Sequence, residues 1–371
     1  MSDSSLHADH GGAFFEAIGA RFDHLGRRRS VINADVLDAW YDPAPRVVRA
    51  LSEHLPWLIK TSPPTHAEGL VEEVCARRGL DPDHVLLGAG SSSLMYLALP
   101  NLVSDGAKVL LPDPMYGEYG HLFGKVLDVR LDRLPLSEAA AFSLDVDEVA
   151  RRARDASLVV LVNPNSPTGT FVSPSEIRRL LTMLEPHTRL WVDETYVDFV
   201  GPGESAEPLV SIHPNLLVVK SLSKFYALSG MRAAYLVADP ELLLSLRALT
   251  PPWSVGLLAQ VAAVMALSDP GYYEARRQET VLLRQELAQE LDALGLTPFP
   301  SVTNFLLVRL PEPRAQSLTH LLAASDVYIR NCDSISELFA GQFVRIAVKE
   351  GEVMRRLVEA VGNAWEELRA E

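Results

Sequence analysis

The sequence predicts an α/β protein: a three-layer α/β/α arrangement around a mostly parallel sheet, joined to a smaller α+β domain. Three observations carry this expectation. From residue 66 to about 245, short apolar β-branched runs alternate with stretches of helical periodicity, the pattern of βαβ units with helices on both faces. The helices between the runs have legible starts, such as Ser173-Pro-Ser-Glu176, with Ser at N-cap, Pro at the first helical position and Glu at the third. At 371 residues the chain also exceeds one ordinary core, so two units are expected.

Residues 1–12 read as a disordered lead. Phe14, Phe15, Ile18, Phe22 and Leu25 then recur at helical spacing and predict a helix over 13–25, closed by the solvated Arg27-Arg28-Arg29. Residues 35–45 read as irregular, and 46–58 as helix. Buried strands are expected at Val85–Leu87, Lys108–Leu111, Leu158–Val162, Leu190–Val192, Leu216–Val219 and Ala233–Val237. Asp239-Pro240 repeats the cap-and-proline device. Past residue 245 come helices at about 257–267 and 272–294, short strands at 304–310 and 343–348, and a closing helix over about 351–369. The division follows: an arm (1–45), a large domain (46–245) and a small C-terminal domain (246–371).

Composition removes several function classes. Hydrophobic residues at 48% and charged ones at 22% are those of a soluble globular chain. A net charge of −14 disfavours nucleic acid or an anionic membrane as partner, although local arginines still admit an anionic substrate. Cys75 and Cys332, far apart, support neither a disulfide framework nor a cysteine-based metal site. No apolar run spans a bilayer and the first residues lack a secretion signal, so a cytoplasmic location is expected.

The chemistry gathers just after the predicted strands, where open α/β sheets bind ligands. Gly88-Ala-Gly-Ser-Ser-Ser93 follows a strand and opens a helix, so Gly90, Ser91 and Ser92 offer backbone N–H groups and hydroxyls to a phosphate. Asp113-Pro-Met-Tyr116 offers a ring to stack on a planar ligand. Asn163-Pro-Asn-Ser-Pro-Thr-Gly169 is a rigid polar turn carrying Asn165 and Ser166. Val192-Asp-Glu-Thr-Tyr196 presents Asp193, a carboxylate able to keep a pyridinium nitrogen protonated, or simply a helix cap. The densest stretch is Lys220-Ser-Leu-Ser-Lys-Phe-Tyr-Ala-Leu-Ser-Gly-Met-Arg232. A lysine held just past a buried strand is desolvated, which lowers its pKa and frees its lone pair for a carbonyl. Ser221, Ser223 and Arg232 around Lys224 form a phosphate clamp. Lysine plus clamp points to pyridoxal 5′-phosphate (PLP).

These five sites, in this order, resemble the PLP-dependent aminotransferase superfamily with the aspartate-aminotransferase fold (fold type I, class I/II), from about residue 45 onward. Within it the chain is similar to histidinol-phosphate aminotransferases and, more so, to threonine-phosphate decarboxylases. Pro251-Pro-Trp-Ser-Val255, Lys224–Arg232, Ile329-Arg-Asn-Cys332 and Val344-Arg-Ile-Ala-Val348 carry that second likeness. The resemblance implies that Lys224 forms the Schiff base, Asp193 pairs with the pyridine nitrogen, Tyr196 bonds the phenolic oxygen and Tyr116 stacks on the ring. Gly90, Ser91, Ser92, Ser221, Ser223 and Arg232 would hold the phosphate. Arg345 would bind the substrate carboxylate and Arg330 a second anionic group, in a homodimer.

Three departures bear on the substrate side. Ser166, beside Asn165, stands where the family has the Asn that contacts the phenolic oxygen. Ser62-Pro63 replaces Tyr-Pro, whose tyrosine reaches across the dimer. Ala39-Trp-Tyr-Asp42 replaces the Asn-Pro-x-Gly segment that closes over substrate, so Trp40 and Tyr41 are expected at the substrate. The implied activity is transamination of an α-amino acid through an external aldimine and a quinonoid. Decarboxylation of a phosphorylated amino acid, elimination or replacement at Cβ or Cγ, and cofactor binding without turnover stand beside it.

Overall fold

The computed structural model describes residues 11–370, so the expected lead over residues 1–10 lies outside the described residues. Phe14–Ile18 forms a short helix (α1), and Ile32–Ala34 a strand (β1). Helices Pro45–Lys60 (α2) and Glu68–Arg78 (α3) lead to β2 (Val85–Gly88) and α4 (Ser91–Leu102). Then follow β3 (Lys108–Asp113), α5 (Gly117–His121), β4 (Arg130–Pro135), α6 (Val146–Arg152), β5 (Leu158–Val162) and α7 (Pro174–Met183). β6 (Arg189–Asp193), β7 (Leu216–Ser221) and β8 (Ala234–Val237) come next, then α8 (Pro240–Leu249), α9 (Leu257–Leu267) and α10 (Pro270–Ala293). The chain ends with β9 (Thr297–Pro298), β10 (Phe305–Arg309), α11 (Ala315–Ala324), β11 (Val327–Asn331), β12 (Phe343–Ala347) and α12 (Gly351–Ala370).

Seven strands form one sheet in the order β2-β8-β7-β6-β5-β3-β4. All pairings are parallel except the two made by β8. The central strands are buried along their whole length because helices cover both faces, which is why they read as unbroken apolar runs rather than alternating ones. Two large clusters of buried side chains, one on each side of this sheet, make the core. The expected capping box is present: Ser173 Oγ accepts from the Glu176 N–H and Glu176 accepts from the Ser173 N–H. Asp239 likewise caps α8.

A second sheet has the order β1-β11-β12-β10-β9. It differs from the expectation at the N-terminus. β1, read as part of an arm, pairs in parallel with β11, Ile32 opposite Val327, and so belongs to the sheet built otherwise from the C-terminal residues. The helix expected over 13–25 stops at Ile18, because Gly19 takes a left-handed φ of 86°. Its apolar side still finds a partner, with Ala17, Ile18 and Val31 packed on Tyr328.

Candidate active site

The carboxyl ends of β2, β3, β5, β6 and β7 open into one cavity of about 520 Å³. Its walls carry Ser91, Ser92, Tyr116, Ser166, Asp193, Tyr196, Ser221, Ser223, Lys224, Arg232 and Arg345 together with Gly11, Val36 and Leu37. Strand alternation explains the assignment along β7: Ser221 faces the cavity while Lys220, its neighbour, faces away and is fully buried.

Lys224 sits three residues past β7, and its Nζ donates to Asp38 Oδ1 at 3.1 Å. Burial lowers the pKa of this amine; Asp38 opposes that shift, while Arg345 and Arg232 add to it. Asp193 ends β6 and is buried. Its Oδ1 accepts from the Thr195 N–H and hydroxyl at 3.0 and 2.6 Å, and its Oδ2 accepts from the Tyr119 hydroxyl at 2.8 Å. The Trp191 indole N–H donates in turn to the Tyr119 oxygen. Burial raises the Asp193 carboxyl, and the bonds from Thr195 and Tyr119 resist that rise. Tyr116 is pushed up to about 12, chiefly by burial. Burial also raises Tyr196, whose ring meets Phe305 edge-on at 5.3 Å.

The N-terminus of α4 lacks a side-chain cap, so its first N–H groups point at the space between Ser91, Ser92 and Arg232. Gly90 has φ 93° and lies so near Arg232 that a Cβ there would meet Nη2 at 2.5 Å. Arg232 itself is steadied from Ser223 Oγ at 3.4 Å and the Ser229 carbonyl at 3.1 Å. Free helix N–H groups, four hydroxyls and a guanidinium around one hollow are the donor set a phosphate monoester needs. The amine of Lys224 borders the same hollow, so the residues fit a phosphorylated aldehyde cofactor.

Arg345 lies in β12 and reaches the cavity from the second sheet. Nη1 donates to Ser166 Oγ and Nη2 to the Asp35 carbonyl, both at 3.0 Å. Its Nε–H is buried and has no partner among the described residues. Arg330 of β11 donates to Ser334 Oγ and, with Arg345, Ser166 and Tyr116, lines a small adjoining cavity.

Two expectations change. Trp40 and Tyr41 do not reach the cavity: Tyr41 is buried against Tyr272 and Tyr273 of α10 with its hydroxyl on the Phe225 carbonyl, and the Trp40 N–H bonds Thr280. Both side chains are claimed by the apolar seam between α10 and the segment leading into α2. Asn165 also turns away, its amide bonded to the Pro114 carbonyl and Thr168, so Ser166 is the member of that turn that faces the cavity. Asp38, Tyr119 and Asp35 were not singled out from sequence. Tyr119, three residues after Tyr116, which caps the short helix α5, carried the one local signal.

Behind β6 and β7, away from the cavity, lies a sealed ionic cluster. Lys220 Nζ is 3.6 Å from Glu194, 3.4 Å from Asp198 and 3.9 Å from Glu207, and Arg78 bonds Asp198 at 2.9 Å. Three carboxylates thus face two cations. Burial pushes the Glu194 carboxyl up to about 7, against Lys220 and with Glu207.

A sheet of mainly parallel strands with a lysine, a carboxylate and an anion cradle at its carboxyl ends defines a transferase scaffold for a phosphorylated cofactor. Comparison with known proteins agrees. The model of the family "Aminotransferase class I and II" matches residues 31–361, and the chain belongs to that family. It is an enzyme of the aminotransferase type, and the membership implies PLP as cofactor. The histidinol-phosphate aminotransferase of Aromatoleum aromaticum is 31% identical over 86% of this chain and 89% of its own length. That of Symbiobacterium thermophilum is 31% identical over 87% of each. Among solved structures, histidinol-phosphate aminotransferase from Sinorhizobium meliloti, in complex with pyridoxal-5′-phosphate, shares the fold with TM-score 0.83 at 21% identity, over 99% of this chain and 98% of that one. L-threonine-O-3-phosphate decarboxylase from Porphyromonas gingivalis does so with TM-score 0.79 at 23% identity, over 92% and 100%. Among the described residues no helix is long and apolar enough to cross a membrane, and no cluster of metal-binding side chains is present.

Proposed function

We propose that the protein holds PLP through Lys224 and transaminates a small α-amino acid whose carboxylate is gripped by Arg345. The observation that carries this reading is Arg345: a buried guanidinium fixed by Ser166 and the Asp35 carbonyl on the same cavity as Lys224. A planar fork suits a carboxylate better than a point charge would.

When bound, the cofactor supplies the electron sink for bonds at the substrate's Cα. The remaining work falls to the chain. Ser91, Ser92, Ser221, Ser223, Arg232 and the backbone at Gly90 hold the phosphate. Asp193 offers a fixed negative charge to the pyridine nitrogen and favours its protonated form. Tyr116 would lie against the cofactor's ring and Tyr196 would bond its phenolic oxygen. Lys224, desolvated, would supply the amine and then carry the proton. Arg330 selects substrates with a distal anion. The curated relatives support transamination over decarboxylation, over Cβ or Cγ chemistry and over binding without turnover. A homodimer in the cytoplasm completes the proposal. Leu55, Trp57 and Ile59 of α2 are exposed, as is Trp253, whose N–H bonds the Thr65 carbonyl just beyond that helix.

Two measurements test this. Reduction of the PLP-loaded protein with borohydride should leave the cofactor's mass on the Lys224 peptide; a tag on another lysine overturns the assignment. Arg345→Ala should lower kcat/KM roughly 10- to 150-fold for every accepted amino acid, the ~1.5–3 kcal/mol of one charged hydrogen-bond contact. Arg330→Ala should impair only substrates with a distal anion. Unchanged kinetics in Arg345→Ala would place the carboxylate elsewhere.

A further inference from the structure

Asp38 reaches Lys224 from far along the chain. It lies in the connection between β1 and α2, while Lys224 and Ser229 lie in the connection between β7 and β8. Its Oδ1 accepts from Lys224 Nζ at 3.1 Å and from Ser229 Oγ at 2.6 Å. Ser229 Oγ also lies 3.1 Å from the Ser223 carbonyl, so the carboxylate is tied to the same turn that carries the reactive lysine.

The charges facing this pair come from three elements. From the β7–β8 connection come Lys224 and Arg232. From β12 comes Arg345, and just past that strand comes Lys349, a lysine that burial pushes down to about 8. All four are cations. Asp38 is the carboxylate that favours the charge of Lys224, and it faces Lys349 and, from just past β6, the Tyr196 hydroxyl as well. Burial raises the Asp38 carboxyl, but Lys224 and the Ser229 hydroxyl outweigh it and hold it below the usual carboxylate range. It is therefore an anion at every working pH, a counter-ion rather than a base.

We propose that Asp38, fixed by Ser229, is the positioning residue of Lys224, aiming its detached amine across the cavity and supporting the charge that amine bears once it has taken up a proton. The inference rests on the reading of Lys224 as the reactive amine. Burial and the neighbouring cations Arg232, Arg345 and Lys349 otherwise disfavour the charged form of a detached lysine in this cavity. Its tip would also be free to swing among rotamers. Asp38 corrects both faults with one contact. The carboxylate leaves the proton on Nζ; no bond other than hydrogen bonds forms or breaks.

The test is read on the full chain without cofactor, so it stands apart from whether PLP is the cofactor. The rate at which a small amine-reactive reagent labels Lys224 is followed against pH by peptide mass spectrometry, for wild type, Asp38→Asn, Asp38→Glu and Ser229→Ala. An opposite charge at this distance shifts a pKa by about 1–3 units, and the partly exposed Asp38 side chain puts the expectation near the lower end. Asp38→Asn should move the labelling midpoint down by about one unit, Ser229→Ala by a fraction of that, and Asp38→Glu should restore most of it. A merely structural role would leave the midpoint in place. An unchanged midpoint in folded Asp38→Asn, or in Ser229→Ala should the Asn variant not fold, overturns the proposal. With PLP loaded, loss of the Lys224 tag in wild type would sink the cofactor assignment and leave this result untouched.

Discussion

The contact between Gly90 and Arg232 allows the anion cradle to be tested by adding one methyl group. In Gly90→Ala the new Cβ would stand 2.5 Å from Arg232 Nη2 and 3.0 Å from Cζ, closer than such atoms approach. The backbone at this residue, φ 93° and ψ 158°, is also one that L side chains rarely adopt. The two faults act on different quantities. Backbone strain of this kind costs about 1–3 kcal/mol of folding stability. The clash displaces the guanidinium, and losing one charged hydrogen-bond contact to phosphate, about 1.5–3 kcal/mol, weakens PLP binding roughly 10- to 150-fold. Absorbance titration with PLP measures the second, and thermal melting the first. Gly106→Ala is the control, since Gly106 also has positive φ, at 72°, but open space around its Cβ. It should lose stability and keep its PLP affinity. A Gly90→Ala protein that binds PLP within twofold of wild type would show that Arg232 does not hold the phosphate.

Three further outcomes are expected. Asp193→Asn should keep the borohydride tag on Lys224 while turnover falls by at least about 10²-fold, the lower bound of a typical acid–base contribution, and near-wild-type turnover would remove Asp193 from the ring nitrogen. For Glu194, the folded state holds a proton that the unfolded state releases from about pH 4.5, so its contribution to stability is whole below that pH and is lost as pH rises through about 7. Glu194→Gln should flatten the fall in Tm across that window, and an unchanged slope would exclude a buried proton at Glu194. Light scattering at micromolar concentration should give twice the chain mass, and a monomer would refute the dimer.

What could be read in the sequence followed a physical rule. Strands buried on both faces, such as Leu158–Val162, carry their own signal, and so does a capped helix such as α7. The edge strand β4 does not: Arg130, Asp132 and Arg133 interrupt the apolar pattern because much of the strand meets solvent, whereas β2, at the other edge, is buried and legible. β1 is too short to announce itself and becomes a strand only by pairing with β11. The same division runs through the site. Lys224, Asp193, Ser221 and Ser223 are legible because each sits at a fixed offset from a readable strand. Asp38 is not, since its partner lies 186 residues away and no local pattern links the two. Tyr41 misled for the converse reason: an aromatic in a suggestive segment was taken by the core.

The reversed direction of β8 has a mechanical consequence. Because β7 and β8 are neighbours running opposite ways, the chain between them leaves and rejoins the sheet at the same end. Lys224 and Arg232, the residues assigned to the covalent hold and the phosphate hold, therefore ride on a single short hoop pinned at both feet. Their spacing cannot drift when distant parts of the molecule are remodelled. The strands of the second sheet that bring Arg330 and Arg345 are not part of this hoop. Exchanging those parts is the route by which this scaffold would acquire a new substrate without disturbing the grip on its cofactor.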